Sequence, residues 1–333
     1  MTPRVFLASL AFALALAMTA RAAPMSDFCR GPAPQTRIYK TCADGSAQKL
    51  HYFTPAPETP APAVTPPARP AVVWMHGGGW TGGTPDGFMP HARYCASRGA
   101  VAFNITYRLA KPDGPTVADC IADCKSAIRH IRAHAAALGV DPNRIAVAGD
   151  SAGGHLAGAL GTIDGHDDPA DNPAISARPD AMIMLNPVTD MTDGDWMRHA
   201  IGGAALAGRK SPLASAPAPA DVARAIALSP LHNIRPGQPP ALLIHGAADK
   251  VVPCLQSMKF AALYTRAGNA CELILLPDAG HAFGIAWWRS PEPVVVETLR
   301  AIDRYLTALG WFSGPPTLTT SATPPWNTDS PGR

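Results

Sequence analysis

Short apolar runs recur along the chain, and glycine-containing turns and stretches with helical spacing separate them. Strands are predicted at residues 71–75, 100–106, 144–148, 181–185, 241–244 and 272–276. Because these runs are apolar at consecutive positions, they are typical of parallel strands that are buried on both faces. Helices are predicted at residues 116–138, 156–160, 255–266 and 294–309. The alternation predicts an α/β fold, with one mostly parallel sheet and helices on both of its faces.

Three stretches depart from this alternation. Residues 37–41 and 48–53 flank a turn that contains Gly45, and they predict an N-terminal hairpin. Residues 187–239, rich in Ala, Pro and Asp, lie between two strands and predict an inserted lid or cap over the strand ends. Residues 313–333 have no periodicity, so a disordered tail is expected there.

The chain begins with the features of an export signal. Arg4 precedes an apolar run over residues 5–18, and a small-x-small cleavage site ends at Ala22. We therefore expect a signal peptide over residues 1–22, a mature domain over residues 23–312, and a periplasmic or secreted protein. The apolar run is shorter than the ~18 residues of a membrane-spanning helix. No other stretch approaches that length, so no membrane span is expected.

Composition excludes several classes of protein. A chain of 333 residues with 47% hydrophobic residues fits a globular domain and excludes disorder throughout. A net charge of +3 gives no electrostatic footprint for nucleic acid, and nothing in the sequence indicates an oligomeric state. The seven cysteines are an odd number, so at least one is unpaired. In an oxidising compartment, Cys29 and Cys42 are the favoured disulfide pair.

A candidate nucleophile follows the third predicted strand. The motif G-x-S-x-G occupies residues 149–153, between the strand at 144–148 and a helical stretch. A serine in such a sharp turn projects its hydroxyl above the sheet, and a Cβ at Gly149 or Gly153 would collide with the turn. Ser151 is therefore the predicted nucleophile.

A glycine loop directly follows the first predicted parallel strand. His76 is followed by three glycines and Trp80, and the glycines leave backbone N–H groups unobstructed. Such groups can hold an oxyanion, and we assign this role to the amides of Gly78, Gly79 and Ala152. A phosphate-binding loop is the alternative, but no Lys-Ser/Thr pair follows the glycines.

A nucleophilic serine needs a base and a group that orients the base. His281 and Asp249 each stand just past a predicted strand, at the edge of a parallel sheet where ligands bind. Their order after Ser151 is the one expected for this architecture. Asp278 and Asp190 are weaker alternatives to Asp249, because one is too near His281 along the chain and the other lies in the insertion.

Aromatic residues next to these loops are candidates for a substrate pocket. Trp80 follows the glycine loop and Phe283 follows the base, so both are predicted to wall the acyl or alcohol pocket. For Trp196, Trp287 and Trp288, ordinary packing is favoured over a stacking platform. His130 and His134 share a helical face, but no third ligand accompanies them, so no metal and no cofactor are expected.

Together these motifs resemble the α/β-hydrolase fold, and within it the HGGG-containing esterases related to hormone-sensitive lipase and to secreted carbohydrate acetyl or feruloyl esterases. The similarity runs from about Arg37 to Leu309. It implies the fold, the Ser151, His281 and Asp249 triad, and the oxyanion role of the three amides. One departure is Ala282, where many relatives have Gly or Thr after the catalytic histidine.

The expected activity is that of a secreted serine carboxylesterase acting on short-chain esters, with acetyl favoured, on a small-molecule or carbohydrate substrate. The first alternative is a serine peptidase of the prolyl-oligopeptidase type. The region ahead of Ala71 cannot house a β-propeller, which disfavours that alternative. The second is a non-catalytic binding protein on the same scaffold, as in the plant gibberellin receptor, which would need a broken triad.

Overall fold

The computed structural model of the chain describes residues 22–56, 68–193, 196–203, 205, 216–286 and 290–322. Within these ranges the strands are β1 (Ala23–Pro24), β2 (Gln35–Thr41), β3 (Ala47–Phe53), β4 (Arg69–Met75), β5 (Val101–Ile105), β6 (Val140–Asp150), β7 (Ala181–Leu185), β8 (Ala241–Gly246), β9 (Cys271–Leu276) and β10 (Leu318–Thr319). The helices are α1 (Met25–Cys29), α2 (Met89–Ser97), α3 (Val117–Ala133), α4 (Ala135–Leu138), α5 (Ala152–Thr162), α6 (Met197–Ile201), α7 (Pro219–Ala227), α8 (Leu255–Arg266) and α9 (Glu292–Ala308). The expected signal peptide lies outside the described residues, apart from Ala22.

Strands β2 to β9 form one sheet in the order β2-β3-β5-β4-β6-β7-β8-β9. Strand β3 runs antiparallel to both of its neighbours, and the other pairs in the sheet are parallel. The mostly parallel sheet and the N-terminal hairpin are thus confirmed. Because the strands from β4 onward run in one direction, the loops that follow them meet at a single edge.

The side-chain alternation along each strand decides which helices cover which face. On β4, Ala71, Val73 and Met75 join the core under α3, α5 and α8. Val72 and Trp74 join the opposite core, under α1, α2 and α9. Since both faces are covered, consecutive strand residues are all buried, which explains the continuous apolar runs in the sequence.

The insertion at 187–239 carries α6, α7 and a 3₁₀ turn at Pro230–Asn233 within its described part. Its aromatic residues pack on the glycine loop, with the Trp196 ring 6.2 Å from the Trp80 ring. None of the helices in the described ranges combines the length and apolarity that a bilayer crossing requires.

The disordered tail expected from residue 313 onward is wrong for residues 313–322. Leu318 is 1% exposed, and β10 pairs in parallel with β1. The Arg300 side chain donates to the Leu318 carbonyl oxygen at 2.9 Å, and the Ser321 amide donates to Glu292 at 2.6 Å. Long-range contacts therefore order a segment that has no local periodicity. Residues 323–333 of the expected tail lie outside the described residues.

The expected pairing of Cys29 with Cys42 is also wrong, because all seven cysteines are free thiols. Cys29 ends α1 and packs against the core under α1, α2 and α9. Cys42 follows β2 and is buried beside the Gln48 side chain. The two residues are close in sequence, but the chain carries them to different surroundings.

Candidate active site

Ser151 occupies a sharp turn between β6 and α5. Its φ of +51° is unusual for a residue with a side chain. Two hydrogen bonds hold the turn: the Ser151 amide donates to the Leu185 carbonyl at 2.9 Å, and the His155 amide donates to the Ser151 carbonyl at 2.9 Å. A Cβ on Gly153 would overlap the Met75 carbonyl oxygen. The predicted need for glycine beside the nucleophile is therefore confirmed.

The structure brings the three far-separated residues of the expected triad into one hydrogen-bonded chain. His281 Nε2 lies 3.0 Å from Ser151 Oγ, and His281 Nδ1 lies 2.7 Å from Asp249 Oδ2. Because a carboxylate only accepts, Nδ1 carries the proton and Nε2 is free to accept the serine proton. This is the tautomer that a general base needs.

The side chain of Asp249 is buried, and both of its oxygens have donors nearby. Its Oδ1 accepts the amides of Val251 and Val252 at 2.8 and 2.9 Å. Burial alone would raise the pKa of Asp249, but hydrogen bonds from His245, His281 and the Val251 amide lower it overall. The carboxylate therefore stays charged and can stabilise an imidazolium at His281.

Asp190, the alternative orienter in the insertion, has other partners. Its Oδ1 accepts the amide and the hydroxyl of Thr192, at 2.9 and 2.6 Å, and lies 3.1 Å from His232 Nε2. Asp249, and not Asp190 or Asp278, is the carboxylate hydrogen-bonded to His281.

Three consecutive residues of the glycine loop have a positive φ, which glycine adopts more easily than other residues. The φ values of Gly78, Gly79 and Trp80 are +113°, +59° and +58°. Among the bonds of the described residues, neither the Gly78 nor the Gly79 amide donates to a protein acceptor. The Ala152 amide opens α5, where a first-turn N–H has no partner within the helix. All three amides are thus available as donors.

Asp150, next to the nucleophile, was not assigned a role from the sequence. It is 2% exposed, and its Oδ1 accepts the Gly77 amide at 2.8 Å. Burial raises the pKa of Asp150 from 3.8 to about 6, even though the His281 charge and the Gly77 amide oppose that shift. Asp150 is the residue before Ser151 in the G-x-S-x-G motif. That position is the sequence signal that could have indicated its contact with the glycine loop.

The two aromatic residues predicted to wall the pocket are almost completely buried. Trp80 is 0% exposed, and its Nε1 donates to His155 Nδ1 at 3.1 Å. Phe283 is 2% exposed and borders a cleft of about 690 Å³ that His281 also lines. A larger cleft, of about 770 Å³, lies at the opposite end of the strands, beside Arg132. Trp287 and Trp288 lie outside the described residues.

Two further buried residues near the site have no signal in the sequence pattern. Asn186, directly after β7, has a φ of +35° and is 0% exposed. Neither polar atom of its side chain has a partner among the described residues. His91 on α2 lies with its Nε2 2.7 Å from the Gly284 carbonyl oxygen, which anchors the loop that carries His281.

Sequence comparison finds similarity to curated ester hydrolases. The profile of the BD-FAE family matches residues 60–264. Carboxylesterase NlhH of Mycobacterium tuberculosis is 43% identical over 103 residues, which cover 31% of this chain and 32% of that protein. The acetylxylan esterase of Xylanibacter ruminicola is 26% identical over 253 residues, which cover 74% of this chain and 45% of that protein. The chain thus spans less than half the length of these curated relatives.

Structure comparison finds a match over almost the whole length of another protein. Thermogutta terrifontis esterase 2, phosphorylated by paraoxon, is 35% identical, with a TM-score of 0.71 over 85% of this chain and 96% of that chain. A butyrate-bound structure of the same esterase matches at 34% identity, with the same TM-score of 0.71 and the same coverage of 85% and 96%.

Proposed function

Because the chain belongs to the BD-FAE family and has the α/β-hydrolase fold of its esterase relatives, we propose that it is a serine carboxylesterase for short-chain esters. The hydrogen-bonded chain from Ser151 through His281 to Asp249 carries this proposal. Its tautomer and its distances are those that acyl transfer through an acyl-enzyme requires.

The proposed reaction has two halves. Ser151 Oγ attacks the ester carbonyl while His281 Nε2 takes its proton, and Asp249 stabilises the resulting imidazolium. The amides of Gly78, Gly79 and Ala152 donate to the oxyanion. His281 then protonates the leaving alcohol. In the second half, water attacks the acyl-enzyme with His281 as the base, which releases the acid and restores Ser151.

We propose that the acyl group is short, with acetyl favoured, and that the alcohol is a small molecule or a carbohydrate. The butyrate bound to Thermogutta terrifontis esterase 2 and the name of the acetylxylan esterase relative support this substrate class. We also propose export to the periplasm or beyond, on the basis of residues 1–22.

The test is hydrolysis of p-nitrophenyl acetate, butyrate and octanoate by the mature protein, with a peptide nitroanilide alongside. We expect turnover to be highest for acetate and lowest for octanoate. The Ser151→Ala variant should lose nearly all ester turnover, since no other group supplies the nucleophile. Preference for the anilide would favour the peptidase alternative.

A matched control variant is Ser126→Ala. Ser126 is also a buried serine, but it lies on α3 and donates to the Ala122 carbonyl at 3.0 Å. This variant should keep the activity of its parent. If Ser151→Ala were as active as Ser126→Ala, the mechanism would be wrong.

A further inference from the structure

A second histidine lies against the carboxylate of Asp249. His245, near the end of β8, is 0% exposed, and its Nε2 is 3.4 Å from Asp249 Oδ2. The same carboxylate oxygen lies 2.7 Å from His281 Nδ1. One oxygen of Asp249 is therefore approached by two imidazoles from different elements.

The surroundings of His245 fix which ring nitrogen bears a proton. Nε2 lies 2.9 Å from the Val252 carbonyl oxygen, which only accepts, so Nε2 must carry a proton. Nδ1 lies 2.7 Å from Ser257 Oγ, which is also 0% exposed and can donate to it. If Nδ1 were protonated as well, Nε2 would still carry its proton. In either state the Nε2–H donates to the Val252 carbonyl oxygen, and Nε2 itself lies 3.4 Å from Asp249 Oδ2.

These bonds close a ring that holds the carboxylate. The Val252 amide donates to Asp249 Oδ1 at 2.9 Å, and the Val252 carbonyl accepts from His245, whose Nε2 lies 3.4 Å from Asp249 Oδ2. Including His281 and the Val251 amide, three N–H groups donate to the two carboxylate oxygens. Rotation of the Asp249 carboxylate away from His281 would therefore break several hydrogen bonds at once.

We propose that His245 is a positioning residue for ester hydrolysis, and that Ser257, 2.7 Å from its Nδ1, holds the imidazole ring in place. It acts through Asp249 and touches neither the nucleophile nor the substrate. By holding the Val252 peptide, whose amide donates to Asp249 Oδ1, and by lying against Oδ2, it keeps the His281 imidazole aligned with Ser151. The proposal rests on the proposed function, because it assigns His245 to the same reaction.

The test compares two replacements of His245. His245→Leu removes the N–H, whereas His245→Gln places an amide N–H at about the position of Nε2. We expect His245→Leu to lower kcat about 10- to 100-fold, because small misplacements of catalytic groups have effects of that size. KM should change little, and His245→Gln should recover most of the loss. A structural role alone would not predict this rescue.

A spectroscopic readout separates positioning from folding and does not depend on activity. The His281 Nδ1 proton, bonded to Asp249, should give a far-downfield ¹H resonance. His245→Leu and Ser257→Ala should shift or broaden this resonance, and the matched variant Ser126→Ala should leave it unchanged. If His245→Leu does not fold, Ser257→Ala decides, because it removes only one hydroxyl.

An unchanged resonance with unchanged kcat in a folded His245→Leu or Ser257→Ala variant would overturn the proposal. If the wild-type protein hydrolyses no ester, the proposed function fails. In that case the resonance still shows whether His245 positions the Asp249 and His281 pair.

Discussion

The Asp150 carboxylate accepts a hydrogen bond from the Gly77 backbone amide at 2.8 Å. The residue before Ser151 therefore fastens the glycine loop to the end of β6. A Cβ on Gly77 would lie 2.7 Å from Asp150 Oδ2, so the contact also requires glycine in the loop. One buried side chain thus couples the predicted oxyanion donors to the predicted nucleophile.

Asp150→Asn should make the protein's stability less dependent on pH. Burial raises the pKa of Asp150 from 3.8 to about 6 in the folded protein. Between these values the unfolded chain has lost the proton and the folded protein has kept it, so wild-type stability falls as pH rises through this window. The asparagine keeps an acceptor for Gly77 and cannot ionise.

From about pH 4 to about pH 8, we expect the free energy of unfolding of Asp150→Asn to rise relative to wild type by about 2–3 kcal/mol. Urea denaturation of both proteins at the two pH values measures this difference. If this difference in unfolding free energy stayed constant with pH, the ionisation of Asp150 would not destabilise the folded protein, and the prediction would be wrong.

Gly78→Ala should lower kcat for p-nitrophenyl acetate about 10²- to 10³-fold, the size of effect of losing one oxyanion donor. At a φ of +113°, a Cβ would overlap the Gly82 carbonyl oxygen, so the loop must move. Gly99→Ala is the matched control, because Gly99 has a φ of +96° with nothing within 4 Å of an added Cβ. Steady-state kinetics should show wild-type kcat for the control, and equal losses in both variants would contradict the oxyanion assignment.

Ala282→Gly should not destabilise the protein and should raise the unfolding free energy by about 0–1 kcal/mol. Ala282 has a φ of +58°, a strained conformation for a residue with a Cβ, and glycine removes that strain. We expect this gain to outweigh the conformational entropy that glycine adds to the unfolded chain. The control Ala262→Gly, at an exposed position within α8, should cost about 1 kcal/mol. Thermal unfolding of the two variants distinguishes them, and a lower Tm for Ala282→Gly than for Ala262→Gly would contradict this account.

Truncation after Phe312 should lower the unfolding free energy by about 2–4 kcal/mol, because it exposes the site of Leu318 and removes the hydrogen bonds of this segment. Arg98 would lose its bonds to the carbonyls of Ser313 and Gly314, at 2.9 and 3.0 Å. Truncation after Ala322 keeps these contacts and is the control. Urea denaturation midpoints should separate the two truncated chains. Equal midpoints would mean that the segment adds no stability.

The sequence pattern predicted some elements better than others. Strand β7 has the bounds predicted from its apolar run, because a strand buried on both faces has an unbroken apolar signal. Strand β6 begins at Val140, four residues before the predicted start, because Val140 pairs with Arg69 of β4 ahead of a register shift. Helix α2 was not predicted, since its buried face includes the polar residue His91.

The order of the motifs along the chain determined the layers, the edge where the loops meet, and Ser151, His281 and Asp249 as candidates, because these depend on local periodicity and strand ends. Only the tertiary structure decided which carboxylate faces His281, and that His245 and Asp150 lie against the site. It also decided that Cys29 and Cys42 stay apart and that residues 313–322 are ordered. Contacts between residues far apart in sequence depend on how the elements pack, and local pattern does not encode that packing.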